Sequence, residues 1–260
     1  MKRKIDGFEA SEEIIRGLHV FHTRITSQLV ANHLKQGIGD YTVIQSGKLR
    51  DLVDLEPCIE CLAECLGKYL EPYRGKPLLI IGIGNADSHF DSLGPKVVHS
   101  IPAHLMSLGN IPCVFESIAL LAPGVLGQTN ISVKKIISGM TQAVNAACIV
   151  LIDTSGVSEF EEVGASIRIS SSGLTLYHSD ETLNRQSFDT PVVVVSVPLV
   201  WSVLPDLVKM YHLSEEKTDI NLTTTDVAMD LKPSVRVLAC GIARTVYPEV
   251  NLETLNQIME

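Results

Sequence analysis

The sequence predicts an α/β fold, with helices on both faces of a mostly parallel central sheet. Three observations predict it. Short apolar runs of strand length alternate with segments of helical periodicity. Aromatic residues are only 5% of the chain although 45% is hydrophobic, so Ala, Val, Ile and Leu must supply the core, as they do where helices cover a parallel sheet. The chain has 260 residues and 20% charged residues, a globular composition long enough to bury a core. It shows no repeat, low-complexity tract or linker, so one domain over 1–260 is expected.

Residues 1–17 are polar and carry Lys2, Arg3, Lys4, Glu9, Glu12 and Glu13, which reads as a mobile arm or a short surface helix. His19–Val30 and Tyr41–Gln45 are strand-like, joined through Gly37, Gly39 and Asp40. Leu49–Tyr69 has helical periodicity. After Gly75 and Pro77, Leu78–Ile81 is a buried strand that runs into Gly82, Gly84 and Asn85, and Gly94–Leu108 is the helix that follows, with Pro95 in its first turn. Val114–Leu121 is strand-like and ends at Pro123-Gly124; Val133–Val144 is helical; Cys148–Ile152 is an apolar strand ended by Asp153. Ser166–Ser170 alternates like an exposed strand, Val192–Val197 is a buried run ended by Pro198, and Thr225–Val246 closes the chain as a helix. This alternation implies right-handed crossovers.

Composition excludes some functions. The formal charge of −9 argues against non-specific nucleic-acid binding, which needs a basic face. The longest apolar run, Val192–Leu204, is too short to span a bilayer and contains Pro198. The basic start turns acidic at once with no apolar stretch behind it, so no secretory signal and no membrane association are expected. Six cysteines without such a signal read as free thiols in a reducing cytoplasm.

In an open α/β sheet, function gathers at the carboxyl ends of the strands. Asp91 lies in the loop after the first buried strand, and Asp153 follows the run CIVLI. Asp has little strand propensity, so each residue either caps a helix or does chemistry. Two carboxylates within a few ångströms cannot both be charged. The ionised one can activate water while the protonated one polarises a carbonyl, the minimum equipment for peptide hydrolysis. Gly82-Ile83-Gly84-Asn85 lacks the third glycine of a phosphate-binding loop and has Asp87 there instead, so its glycines are expected to serve a sharp turn and close approach to the sheet. Cys58, Cys61 and Cys65 share one helical face, either as core or as metal ligands. His89, between Asp87 and Asp91, belongs to a possible metal cluster.

These residues carry a resemblance. IIGIGNADSHFDSLGPKVV (80–98) matches the germination proteases, the spore endopeptidases, in Gly-x-Gly-Asn, five variable positions, then Asp-x-Leu-Gly-Pro. APGVLGQTNISVKKIISGM (122–140) and IVLIDTSG (149–156) resemble the family's Pro-Gly-Val-x-Gly-x-Thr run and its apolar strand ending in Asp; PVVVVSVP (191–198) resembles its next strand. The resemblance implies an aspartic-type endopeptidase with Asp91 and Asp153 as its catalytic pair and no cofactor. It further implies small acid-soluble spore proteins as substrates, a zymogen with an N-terminal propeptide, a homotetramer, and work in the cytoplasm of the spore core or forespore. The implied fold is a three-layer α/β/α sandwich similar to the hydrogenase maturation peptidases. Asn85 and Thr129 are expected as supporting polar groups.

The chain departs from the family after Ile167–Ile169. A Gly-rich loop there is replaced by Leu176 to Arg185. Two alternatives follow: a metal-assisted processing peptidase with His89 or His178 joining the two aspartates, and an inactive paralogue with a binding role. Phe8-Glu9-Ala10-Ser11-Glu12 resembles the family's target, which makes 1–17 a candidate propeptide; the other reading is an acidic cap before a helix at Glu12–Leu18.

Overall fold

The computed structural model describes residues 2–88, 91–102, 111–176, 181–202, 221–223 and 226–259. Its centre is a ten-stranded mixed sheet. In chain order the strands are β1 (Lys2–Ile5), β2 (Phe8–Ile15), β3 (Leu18–Ile25), β4 (Gly39–Gln45), β5 (Pro77–Gly82), β6 (Ser117–Leu121), β7 (Cys148–Val157), β8 (Ser166–Ser170), β11 (Val192–Ser202) and β12 (Asn221–Leu222), with β9 (Leu174–Thr175) and β10 (Thr182–Leu183) forming a separate two-stranded ribbon. The spatial order is β1-β2-β3-β4-β8-β11-β7-β5-β6, with β12 against β11. The strands β11, β7, β5 and β6 pair in parallel, whereas β1 to β4 and β8 form an antiparallel wing.

The parallel strands read as unbroken apolar runs because both their faces are covered. One face carries α2 (Glu56–Leu70), α3 (Leu93–Ser100), α7 (Val227–Val246) and α8 (Leu252–Met259), packed over Ile80, Val150, Ile152, Val195 and Val197. The other carries α5 (Val133–Ala143), the short α6 (Arg185–Phe188) and the β9–β10 ribbon over Leu79, Ile81, Ile149, Leu151 and Val194. The result is the layered α/β architecture expected. Cys58, Cys61 and Cys65 are all buried on the inner face of α2, and burial pushes the Cys58 thiol up to about 11. Arg50 reaches the buried Asp230 of α7 at 3.3 Å and ties that helix to the turn after β4. No described helix is long and apolar enough to cross a membrane.

Several elements differ from the sequence reading. Residues 2–17 are neither a mobile arm nor a helix. They are β1, β2 and their turns, and the acidic stretch expected to cap a helix at Glu12–Leu18 lies in β2, with Glu12 opposite Phe21 and Glu13 opposite Val20. Most residues of this ribbon are partly solvated on both faces, so charged residues are tolerated along it without regular alternation. The strand expected over His19–Val30 ends at Ile25. Helix α1 (Gln28–Leu34) follows, with Ala31 its buried residue and Leu29 80% exposed, so its apolar residues carry no core signal. Asp153 and Pro198 do not end their strands. β7 continues to Val157 and β11 to Ser202, the latter with a register shift between Pro198 and Val200 that absorbs the proline. The helix begun at Leu93 ends at Ser100; residues 103–108 of the expected span lie outside the described residues.

Candidate active site

Glycines let the two aspartate-bearing segments meet. At Gly82, the last residue of β5, a Cβ would stand 2.1 Å from the Gly94 carbonyl oxygen; at Gly94 it would stand 2.3 Å from the carbonyl of Ile83 and 2.5 Å from that of Ile152. Gly84 has φ +124 and leaves only 2.0 Å between a hypothetical Cβ and the Asp91 carbonyl. Any side chain at these positions would hold α3 off the sheet. Without them its first turn seats on the ends of β5 and β7, where Ile83 N–H bonds the Ile152 carbonyl at 2.8 Å. The loop then folds back so that the Asn85 backbone N–H donates to Asp91 Oδ2 at 2.9 Å. The glycines serve close packing, as the sequence reading expected.

Asp153 comes from the adjacent strand. The last β5–β7 pair is Gly82 with Ile152, so Asp153 stands one residue past the point where β5 stops. Ile152 faces the α2–α3–α7 layer and Leu151 the α5 layer. By alternation Asp153 projects on the α5 side. Its Oδ1 accepts from the Thr154 backbone N–H at 2.8 Å. Burial, with a smaller push from the charge of Asp91, nonetheless raises its carboxyl to about 8 against the opposing Thr154 bond. The charge of Asp91, in the loop before α3, therefore acts on Asp153, which holds its proton at neutral pH.

Both acids line a cavity of about 910 Å³, whose apolar wall includes Ile83, Leu126, Val133, Val200 and Leu222. Asn85 also lines it. Its Oδ1 accepts from Gln128 Nε2 at 2.7 Å and from the Asp87 N–H at 3.0 Å. Gln128 in turn accepts from the Val125 N–H at 3.3 Å and donates to Asp87 Oδ2 at 3.2 Å, which clasps α4 (Leu126–Thr129) to the glycine loop. Thr129 turns its hydroxyl to its own loop, donating to the Ile131 carbonyl at 3.1 Å, and Asn85, Asp91 and Asp153 are the expected residues that share the cavity. Sequence reasoning missed Gln128, one position from Thr129, and the Ser132–Glu181 bond of 2.6 Å on the cavity wall. Nothing short of the fold signals a contact across 49 positions. His89 and His178, the histidines a metal reading needs, lie outside the described residues.

The germination protease family model matches residues 1–219, and the chain belongs to that family. The germination protease of Caldanaerobacter subterraneus subsp. tengcongensis is 27% identical over 209 residues, covering 76% of this chain and 64% of the relative. That of Priestia megaterium is 26% identical, covering 92% and 66%, and that of Clostridium acetobutylicum is 23% identical, covering 97% and 92%. The chain thus spans about two thirds of the length of the first two, slightly less in both cases. A solved [NiFe] hydrogenase maturation protease from Thermococcus kodakarensis superposes on 69% of this chain and 99% of its own, with 14% identity and a TM-score of 0.40.

Proposed function

We propose that the chain is an endopeptidase of the germination type, cutting small acid-soluble spore proteins in the spore core with Asp91 and Asp153 as its catalytic pair. The observation that carries this reading is the shared cavity, in which Asp153 keeps its proton to about pH 8 beside Asp91. In the mechanism, ionised Asp91 takes a proton from a water molecule, and that water attacks the scissile carbonyl. Protonated Asp153 donates a hydrogen bond to the carbonyl oxygen as charge develops there. The proton gained by Asp91 then passes to the leaving amine as the C–N bond breaks. The Asn85 N–H bond to Asp91 Oδ2 fixes the orientation of that carboxyl at the cavity.

Membership of the family supports the substrate class, the zymogen and the tetramer as parts of the same proposal. The experiment is incubation of purified small acid-soluble spore protein with the chain and with Asp91→Asn and Asp153→Asn. The expected result is endoproteolysis by the parent, with each variant slower by roughly 10²–10⁴-fold. Full activity in either variant removes the pair, and a parent chain that cuts nothing leaves the binding role of an inactive paralogue.

A further inference from the structure

Ser155 makes no use of its hydroxyl within the chain. Its Oγ is buried and has no hydrogen-bond partner among the described residues. A desolvated hydroxyl without a partner is destabilising, and such a group in a folded protein calls for an explanation. The position supplies one. Ser155 lies two residues beyond Asp153 on β7, so strand alternation sends both side chains to the same face, and both residues line the cavity. β7 is paired with β11 as far as Val157 but with β5 only as far as Ile152. Over residues 153–157 no described strand lies against β7 on the β5 side, and the cavity is lined there by the β5–α3 loop and on the other side by Val200, Ser202, Leu222 and Thr223. An extended peptide laid across the face of β7 that carries Asp153 and Ser155 advances about 3.3 Å per residue, and its carbonyls alternate in direction. When the scissile carbonyl is level with Asp153, the carbonyl about two residues away is level with Ser155 and points the same way.

We infer that Ser155 Oγ–H is a substrate-binding donor, giving its hydrogen bond to a main-chain carbonyl of an extended peptide about two residues from the bond that is cut. The inference rests on the peptidase reading in taking a peptide as the ligand. It makes Ser155 a positioning group that fixes the register of the peptide against Asp153. With peptide bound the hydroxyl is satisfied.

The test uses the full chain and a spore-protein peptide whose scissile amide is replaced by an uncleavable methyleneamino link. Two further versions also lack the carbonyl two residues to either side. Binding of each to the parent and to Ser155→Ala is measured by calorimetry, together with Tm. Ser155→Ala is expected to weaken the first peptide roughly tenfold, as loss of one hydrogen bond does. One of the truncated versions is expected to bind parent and variant equally, and Tm to stay level or rise. An equal loss for all three peptides, no loss for any, or a fall in Tm overturns the inference. If the expected pattern appears but the parent leaves the natural peptide uncut, the peptidase reading fails and the contact stands. If no peptide binds, both fail.

Discussion

The proton on Asp153 is where chemistry and stability meet. Its carboxyl titrates near 8 in the folded chain against an ordinary value of 3.8, raised first by burial and then by Asp91. A raised acid binds its proton more tightly folded than unfolded, so its contribution to stability is full below about pH 4 and is lost as pH climbs to about 8. The unfolding free energy measured across that window is expected to fall, by an amount on the order of several kcal/mol if Asp153 acted alone. Asp153→Asn is expected to flatten the profile and to stand above the parent at pH 8. A variant that keeps the parent's slope contradicts the assignment. Activity should fall on the alkaline side as Asp153 deprotonates. Gly84 offers a second residue-scale prediction. With φ +124 and no room for a Cβ, Gly84→Ala displaces the Asp91 loop and is expected to lower stability by about 2–4 kcal/mol, read by chemical denaturation.

The elements show which parts of the architecture were legible in the sequence. The site was readable because an Asp after CIVLI and another after a glycine turn break strand propensity without a local reason. The true ends of β7 and β11 were not readable. Each strand is supported past its polar or proline residue by the other, through pairs such as Asp153 with Ser196 and Thr154 with Val197, which only the assembled sheet supplies. The β1–β2–β3 meander was hidden by its charges, although its turns are written in the sequence. Asp6-Gly7 and Arg16-Gly17 each join two strands across two residues, and Arg16 and Gly17 both have positive φ. The clasp between α4 and the glycine loop makes its own prediction. Gln128→Ala removes the bonds to Asn85 and Asp87, and is expected to cut turnover several-fold while costing only about 1 kcal/mol of stability, since the residue is exposed. In the α2–α3–α7 layer, Arg50→Met removes the ion pair to the buried Asp230, and a loss of stability is expected in urea unfolding.

At the scale of the whole molecule, the sheet divides the labour. Its parallel half carries the aspartates, and its antiparallel wing carries the segment that resembles a target of the family. Phe8–Glu12 lies in β2, with every residue of that strand paired to β3 and part of it also to β1. Its peptide bonds are held within a sheet rather than offered as an extended free strand. We therefore expect the folded chain to stay intact near residues 8–12 on incubation at neutral pH, as read by mass spectrometry. Truncation there without prior opening of the β2–β3 pair would count against a propeptide locked in this way. The account as a whole depends on the carboxyl groups of Asp91, in the loop before α3, and Asp153, on β7, meeting across one cavity. Its most direct measurement is a carboxyl ¹³C NMR titration of Asp153 in the parent and in Asp91→Asn. The expected midpoint is about 8 in the parent and lower in the variant, where the neighbouring charge is gone. A midpoint near 3.8, or one that Asp91→Asn does not move, contradicts it.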